Sequence, residues 1–407
     1  MTSFPPVPGS RSPVSGMLRI LMLAPTPFFA DRGCHVRIYE EARALIELGH
    51  EVLIVTYHLG REMEGIPTLR IPNVPWYGKL AAGPSWHKPY LDILLFIKAF
   101  TTARGYRPDI IHAHLHEGAF IGLMLKKLLR IPLVFDCQGS LTAEMADHTF
   151  IRGGSLLFRM FRYLEKKINN GADFIVTSSL RGAAELVDSW KVPSDRVKGL
   201  IDGVDADIFR PFPRDEARKA LKLTTGGKIV VFLGVLNRYQ GIDILMEVVT
   251  ILKERGTAPH FLIMGFPDEE YRKRAESLGL GDQITFTGRV DYHKTPLYLC
   301  AGDIAVSPKI SLTEANGKLF NYMACGLPTV VFDNPANREI LGDAGVYARP
   351  GDPADFAARI EALLNDRTRM AELSARLREM AVHDHSWRIR GEQLVEIYRK
   401  LNKSPCQ

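Results

Sequence analysis

Two stretches of this chain concentrate side chains able to do chemistry. In Ile111-His112-Ala113-His114-Leu115-His116-Glu117-Gly118 an apolar run ends and a helical pattern opens. Alternation sets the three histidines on one face of a strand end, where imidazoles serve metal binding or proton transfer near neutral pH. No acidic or cysteine partner follows at metal-binding spacing, so no metal is expected. A hydrogen-bonded structural role suits His112, and the groups after it are placed to assist proton transfer from a hydroxyl.

The second stretch is Thr313-Glu314-Ala315-Asn316-Gly317-Lys318-Leu319-Phe320-Asn321-Tyr322-Met323-Ala324-Cys325-Gly326-Leu327-Pro328, which follows an apolar run ending at Ser307-Pro308. A small glycine-containing loop here opens onto a helix, so backbone N–H groups and the positive helix end can hold a diphosphate. Lys318, at the helix start, adds a charge-assisted bond. Asn321, one turn on along the same face, is placed to reach ribose hydroxyls. The helix stops at Gly326, and a buried strand begins after Pro328.

The elements that must position these groups are legible as short apolar runs, each followed by a longer helical pattern. Leu18–Leu23, Glu51–Thr56, Asp109–His114, Pro132–Phe135 and Phe174–Ser178 form a first series. Lys228–Gly234, His260–Met264, Gln283–Thr287, Ile304–Ser307 and Pro328–Phe332 form a second. Near-continuous apolar strands alternating with helices predict doubly wound parallel sheets, with ligands at the strands' carboxyl ends. The 407 residues, 46% hydrophobic and 24% charged, suffice for two such cores. The expected divisions are a disordered tail over 1–16, a first domain over 17–200 and a linker over 201–215. A second domain follows over 216–385, and a last helix, 386–407, packs back on the first. The loop Ala24-Pro25-Thr26-Pro27-Phe28-Phe29-Ala30-Asp31-Arg32-Gly33 lacks the G-x-G-x-x-G of a nicotinamide-dependent oxidoreductase.

On these residues the chain resembles the family-4-type retaining glycosyltransferases, whose donor signature is E-x7-E followed by A-x-G-x-P-V-V. Phe232-Leu233-Gly234 with Gly241-Ile242-Asp243, Phe286-Thr287-Gly288-Arg289, Gly203-Val204-Asp205 and Gly49-His50-Glu51-Val52 extend the likeness along nearly the whole chain. The resemblance implies an α/β, GT-B fold: two Rossmann-like doubly wound parallel-sheet domains facing a cleft. It implies transfer of a sugar from a UDP- or GDP-linked donor, with the diphosphate stabilised by helix ends and cations and no cofactor or metal required. The residues it points to for catalysis are His114, His116, Glu117 and Glu314. For donor binding they are Gly33, Arg238, Gly265, Arg289, Asn316, Gly317, Lys318, Leu319 and Asn321, and for the acceptor Trp86 and Gln138. The chain also departs from the pattern. Aligned on Gly326, the two glutamates become Thr313 and Asn321, with Glu314 one residue late. The usual basic pair between Gly234 and Gly241 becomes Val235 and Gln240, leaving Arg238 and Lys318 as replacement cations. A GT-B epimerase and a degenerate nucleotide-sugar-binding subunit are the alternatives.

The acceptor, a glycan or a lipid-linked sugar, is expected to meet residues 58–110, whose pattern reads as irregular. The helix around Ser155–Ile168 sets Leu156, Leu157, Met160, Phe161 and Leu164 on one side and Arg159, Arg162, Lys166 and Lys167 elsewhere. It reads first as a surface helix packed on its own core, and second as a contact with an anionic membrane. The net charge of +6 is compatible with phosphate-bearing ligands, and no nucleic-acid-binding signature is present. The five scattered cysteines and the lack of any apolar run near the ~18 residues a bilayer requires point to a cytoplasmic protein, peripheral at most to the inner membrane face.

Overall fold

The structure, a computed structural model, describes residues 16–30, 33–80, 85–147, 151–152, 154–223, 227–310 and 316–403. Two parallel sheets organise it. The first holds β1 (Arg19–Ala24), β2 (Glu51–Thr56), β3 (Thr68–Arg70), β4 (Ile110–His114), β5 (Leu133–Cys137), β6 (Phe174–Thr177) and β7 (Val197–Gly199), in the order β3-β2-β1-β4-β5-β6-β7. The second holds β8 (Ile229–Leu233), β9 (His260–Met264), β10 (Ile284–Gly288), β11 (Ile304–Ser307), β12 (Thr329–Phe332) and β13 (Val346–Ala348), in the order β10-β9-β8-β11-β12-β13. In each sheet the strand order reverses beside the first strand, between β1 and β4 and between β8 and β11. Open parallel sheets bind ligands at such reversals, beyond the strands' carboxyl ends.

Around the first sheet lie α1 (Gly33–Glu47), α2 (Lys88–Tyr106), α3 (Leu115–Leu129), α4 (Leu141–Asp147), α5 (Leu156–Gly171) and α6 (Leu180–Asp188). Around the second lie α7 (Arg214–Ala220), α8 (Ile242–Glu254), α9 (Glu269–Ser277), α10 (Thr295–Cys300), α11 (Lys318–Ala324), α12 (Pro335–Leu341), α13 (Pro353–Asn365) and α14 (Arg367–His383). α15 (Trp387–Lys403) returns to the first half and lies on α1, where a Cβ at Gly391 would stand 3.0 Å from the Ala44 and Leu48 side chains.

Alternate residues of β1 serve opposite faces, as the two-residue period of a strand requires. Ile20 and Met22 pack with Ile38 and Leu45 of α1, while Leu21 and Leu23 pack with Leu91 and Leu95 of α2 and Ile121 of α3. Helix starts are capped by side chains: Ser155 Oγ accepts from Phe158 N at 3.1 Å and Ser179 Oγ from Gly182 N at 3.0 Å.

Two expectations need correction. Residues 58–110 are not irregular throughout, since α2 runs for 19 residues. It lacks a clean amphipathic period because Leu91, Leu95 and Ala99 are buried while Ile93 and Ile97 stand exposed opposite them, and Pro89 opens it. In α5 the apolar side does not all pack inward. Leu164 and Ile168 reach the core, but Leu156, Met160 and Tyr163 are exposed. Three-residue edge strands β3, β7 and β13 were too short to register as apolar runs.

Candidate active site

In the second half, three loops at strand ends meet backbone to backbone. A Cβ at Gly265, after β9, would lie 2.0 Å from the Gly234 carbonyl after β8. Gly241 closes the 3₁₀ turn Arg238–Gln240 with φ +76°, and a Cβ there would lie 1.9 Å from the Pro308 carbonyl after β11. Only glycine fits that position, on both counts. The turn carries Gln240, whose Oε1 accepts a 2.7 Å hydrogen bond from Lys318 Nζ at the start of α11. The ammonium also lies 4.5 Å from the centre of the Phe232 ring and directly over Gly234. Arg238 and Arg289 are exposed at the rim, Arg289 over the Phe266 ring at 5.6 Å.

The remaining donor candidates separate by burial. Asn316 is 2% exposed and donates to Asn337 Oδ1 at 2.8 Å and Ser307 Oγ at 3.1 Å, so it is itself tied to β11 and α12. Leu319 is wholly buried in the core, and Asn321 is half-buried. Gly33 opens α1 with nothing within 4 Å of where a Cβ would sit. Glu314 lies outside the described residues.

In the first half, β4 delivers His114 and the neighbouring β5 delivers Asp136 in register beside it. His114 Nδ1 lies 3.0 Å from Asp136 Oδ2, which also accepts from Gln138 Nε2 at 2.7 Å. An ionised Asp136 only accepts, so His114 donates to it from Nδ1. His114 Nε2 is buried with no hydrogen-bond partner. The chain then turns into α3 through Leu115 at φ +60°, a strained conformation for a branched side chain. His116 is buried against Phe135, 3.6 Å from Glu165, and Glu117 forms an ion pair with Lys88 of α2. Trp86 stands 75% exposed just before α2.

Sequence reasoning missed the charge that holds this corner together. Arg37 of α1, 2% exposed, meets Asp136 at 2.8 Å, Glu41 at 3.0 Å and Asp202 at 2.6 Å, and donates to the Leu200 carbonyl at 3.0 Å. Burial works against a charged Asp136, but the Arg37 guanidinium and His114 together hold its carboxyl well below the usual range. Burial pushes Glu41 well up, with Arg37 opposing and Asp136 and Asp202 adding to the rise. His112 is driven down by burial and by its neighbour His114, and its Nδ1 is bonded to the Tyr398 hydroxyl of α15.

Glu41, His112, His114 and Asp136 bring ligand-type atoms within 4.8 Å of one another. The Arg37 guanidinium already supplies positive charge between the two carboxylates. The two imidazole rings stack at 4.6 Å and 16° beside it. The set therefore fits a guanidinium better than a metal ion.

The two halves close on this corner. Asp202, in the connection between them, lies with Oδ2 3.2 Å from where a Cβ on Gly317 would be, so the loop before α11 abuts the Arg37 network. Tyr292 donates to Glu40 Oε1 at 2.7 Å, and Leu180 N donates to Glu339 Oε1 at 2.8 Å across the halves. Gly317, next to Lys318, thus abuts Asp202, which ties the start of α11 to Arg37 and through it to Asp136 and His114. Among the described residues, no helix is long and apolar enough to cross a membrane.

Comparison with known proteins agrees with this architecture. The family described as "Glycosyl transferases group 1" matches residues 213–383, and "Glycosyl transferase 4-like domain" matches residues 32–199. The chain is 27% identical to the D-inositol 3-phosphate glycosyltransferase of Thermobispora bispora, over 90% of this chain and 89% of that protein. It is 25% identical to sulfoquinovosyl transferase SQD2 of Arabidopsis thaliana, over 92% of this chain and 72% of that protein. Among solved structures it is similar to sucrose-phosphate synthase from Thermosynechococcus elongatus, with TM-score 0.77 and 20% identity over 94% of this chain and 99% of that one. It is also similar to Anabaena HepE in complex with UDP-glucose, with TM-score 0.75 and 18% identity over 94% of this chain and 100% of that one. At these identities the structural likeness establishes the fold.

Proposed function

The chain belongs to the GT4-type glycosyltransferases of the GT-B fold, and from that membership we propose that it transfers a sugar from a nucleoside-diphosphate donor to a hydroxyl of a glycan or lipid-linked acceptor. The observation that carries this reading is the meeting of the loops after β8, β9 and β11 around Gly234, Gln240 and Lys318, with Gly317 abutting the Asp202 that Arg37 holds. HepE, which shares the fold, was solved with UDP-glucose, which supports a nucleotide-sugar in this cleft.

In this reading Lys318 and Arg238 neutralise the departing diphosphate, with backbone N–H groups at the start of α11 adding to them. The acceptor hydroxyl attacks from the face the diphosphate leaves, so anomeric configuration is retained, and the diphosphate itself takes the proton. His114 Nε2, one of the buried first-half atoms without a hydrogen-bond partner, bonds a hydroxyl of the bound sugar. Gln138 and Trp86 border the acceptor, and His116 and Glu117 fix the turn that presents His114. No metal is required, because cations of the chain meet the charge that develops. The reaction is assigned to the cytoplasm.

A donor screen tests this. Free UDP or GDP is measured with a panel of nucleotide-sugars and oligosaccharide or membrane-extract acceptors, with and without chelator, and the product's anomeric configuration is read by NMR. Release that depends on acceptor and survives chelation is expected. Donor binding without release under every acceptor would support the nucleotide-sugar-binding subunit instead, the reading that Asn321 in place of a glutamate favours.

A further inference from the structure

The surface of the first half formed by α2, α3 and α5 carries an unusual combination of side chains. These helices pack side by side on one face of the sheet. Contacts with the second half run elsewhere, through α1, α6 and the loop after β2. Ile93 and Ile97 of α2, Leu128 of α3, and Leu156, Met160 and Tyr163 of α5 are each more than half exposed. Single exposed apolar residues are ordinary, but six large ones on three adjacent helices are not.

The charge on the same surface has one sign. Lys127, Arg130, Arg159, Arg162, Lys166 and Lys167 are all exposed. The acids of these three helices are Asp92, Glu117 and Glu165, and each is turned inward. Tyr57 donates to Asp92 at 2.5 Å, Lys88 pairs with Glu117, and Glu165 is 1% exposed, accepting from Leu141 N and Thr142 N at 3.0 Å each. Among the described residues, the outer side of this layer offers apolar side chains and cations together.

We propose that the α2–α3–α5 surface docks on an anionic lipid bilayer. Apolar side chains at the headgroup boundary leave water, while the lysines and arginines between them meet lipid phosphates. A nucleic acid would satisfy the cations but leave Ile93, Ile97, Leu156 and Met160 in water. A second copy paired through this face would set its cations against an identical set. A bilayer satisfies both kinds of group at once. The inference does not depend on the transfer reading, because its test needs neither donor nor acceptor.

The full chain is sedimented with phosphatidylcholine vesicles prepared with and without phosphatidylglycerol, over a range of salt. Retention on the anionic vesicles alone, falling as salt rises, is expected. Arg159→Glu/Arg162→Glu should lower the bound fraction about tenfold or more. Leu156→Ser/Met160→Ser should lower it at every salt concentration. Lys219→Glu/Lys273→Glu makes the same change of net charge on the second half and should leave retention unaltered. All four positions on α5 are exposed, so unfolding midpoints should match the unmodified chain and separate lost docking from lost fold. The proposal is overturned by absence of retention on anionic vesicles or by equal loss in the face and second-half variants. It is also overturned if the face variants instead convert a dimer to a monomer in analytical ultracentrifugation.

Discussion

Replacing Arg37 by Met tests whether the buried network holds the two halves in register. The substitution keeps much of the side chain's volume and removes its charge. Arg37 meets three carboxylates and one carbonyl, all within 3.0 Å, at 2% exposure. Removing one partner of a buried ion pair costs about 3–5 kcal/mol, because the other charge is left without compensation. Glu41, already pushed well up by burial, takes a proton readily, so Asp136 bears most of that cost. At roughly 2–4 °C per kcal/mol for a domain of this size, the midpoint should fall by about 6–20 °C at pH 7. The pH dependence gives a second reading. Asp136 lies below its unfolded value of about 3.9, so it contributes stability above that pH, lost as pH falls toward its folded value. Without Arg37 that contribution goes, so the gap between variant and parent should hold from neutrality down to about pH 4 and narrow only below it. Chemical denaturation at several pH values measures both effects. Adding Asp136→Asn to Arg37→Met should recover part of the loss. A loss below about 1 kcal/mol at pH 7, or a gap that does not narrow below about pH 4, would refute the reasoning.

Three other outcomes follow from the geometry. Lys318→Ala and Arg238→Ala should each weaken nucleotide-sugar binding by about 10- to 100-fold, as loss of a charge-assisted bond to phosphate requires; unchanged affinity in calorimetry would sink their assignment. Gly241→Ala should lower both the unfolding midpoint and donor affinity, since φ +76° and the Pro308 carbonyl both exclude a side chain, whereas Gly33→Ala has open space and should lower donor affinity alone. His385, lowered to about 4 by burial and by the charge of Arg390, should favour the folded state fully above about pH 6.5 and lose that contribution as pH falls toward 4. Thermal melts across that range should show the decline, with a shallower slope in His385→Gln.

How much of this was legible in the sequence depends on the range over which each feature is encoded. Glu51–Thr56, His260–Met264 and Ile304–Ser307 are read from local apolar runs and match β2, β9 and β11 residue for residue. A strand buried on both faces needs only its own side chains to announce it. Val197–Gly199 and Val346–Ala348 take their strand character from a neighbour's free edge, and three residues carry no period. The helix α2 fails for a different reason: with Ile93 and Ile97 exposed opposite Leu91 and Leu95, it has no polar face to set against an apolar one.

The candidate site divides along the same line. Gly241, Lys318 and His114 lie where a strand gives way to a turn or helix, and that junction is visible in a few residues of sequence. What orients His114 is Asp136, and what keeps Asp136 ionised is Arg37, 99 residues before it. Asp202 and Tyr398, which complete the network, come from the connection and from the returning α15. None of these pairings leaves a local pattern, because each depends on which ends of which strands the fold brings together. Arg37 and Glu41 alone, one turn apart on α1, resemble any exposed helix pair. Their burial is what turns an ordinary i, i+4 contact into the charge that links the first half, the connection and Gly317 before α11. The residues proposed for transfer can therefore be sought at strand ends in the sequence, whereas the residues that tie those ends together emerge only from the assembled fold.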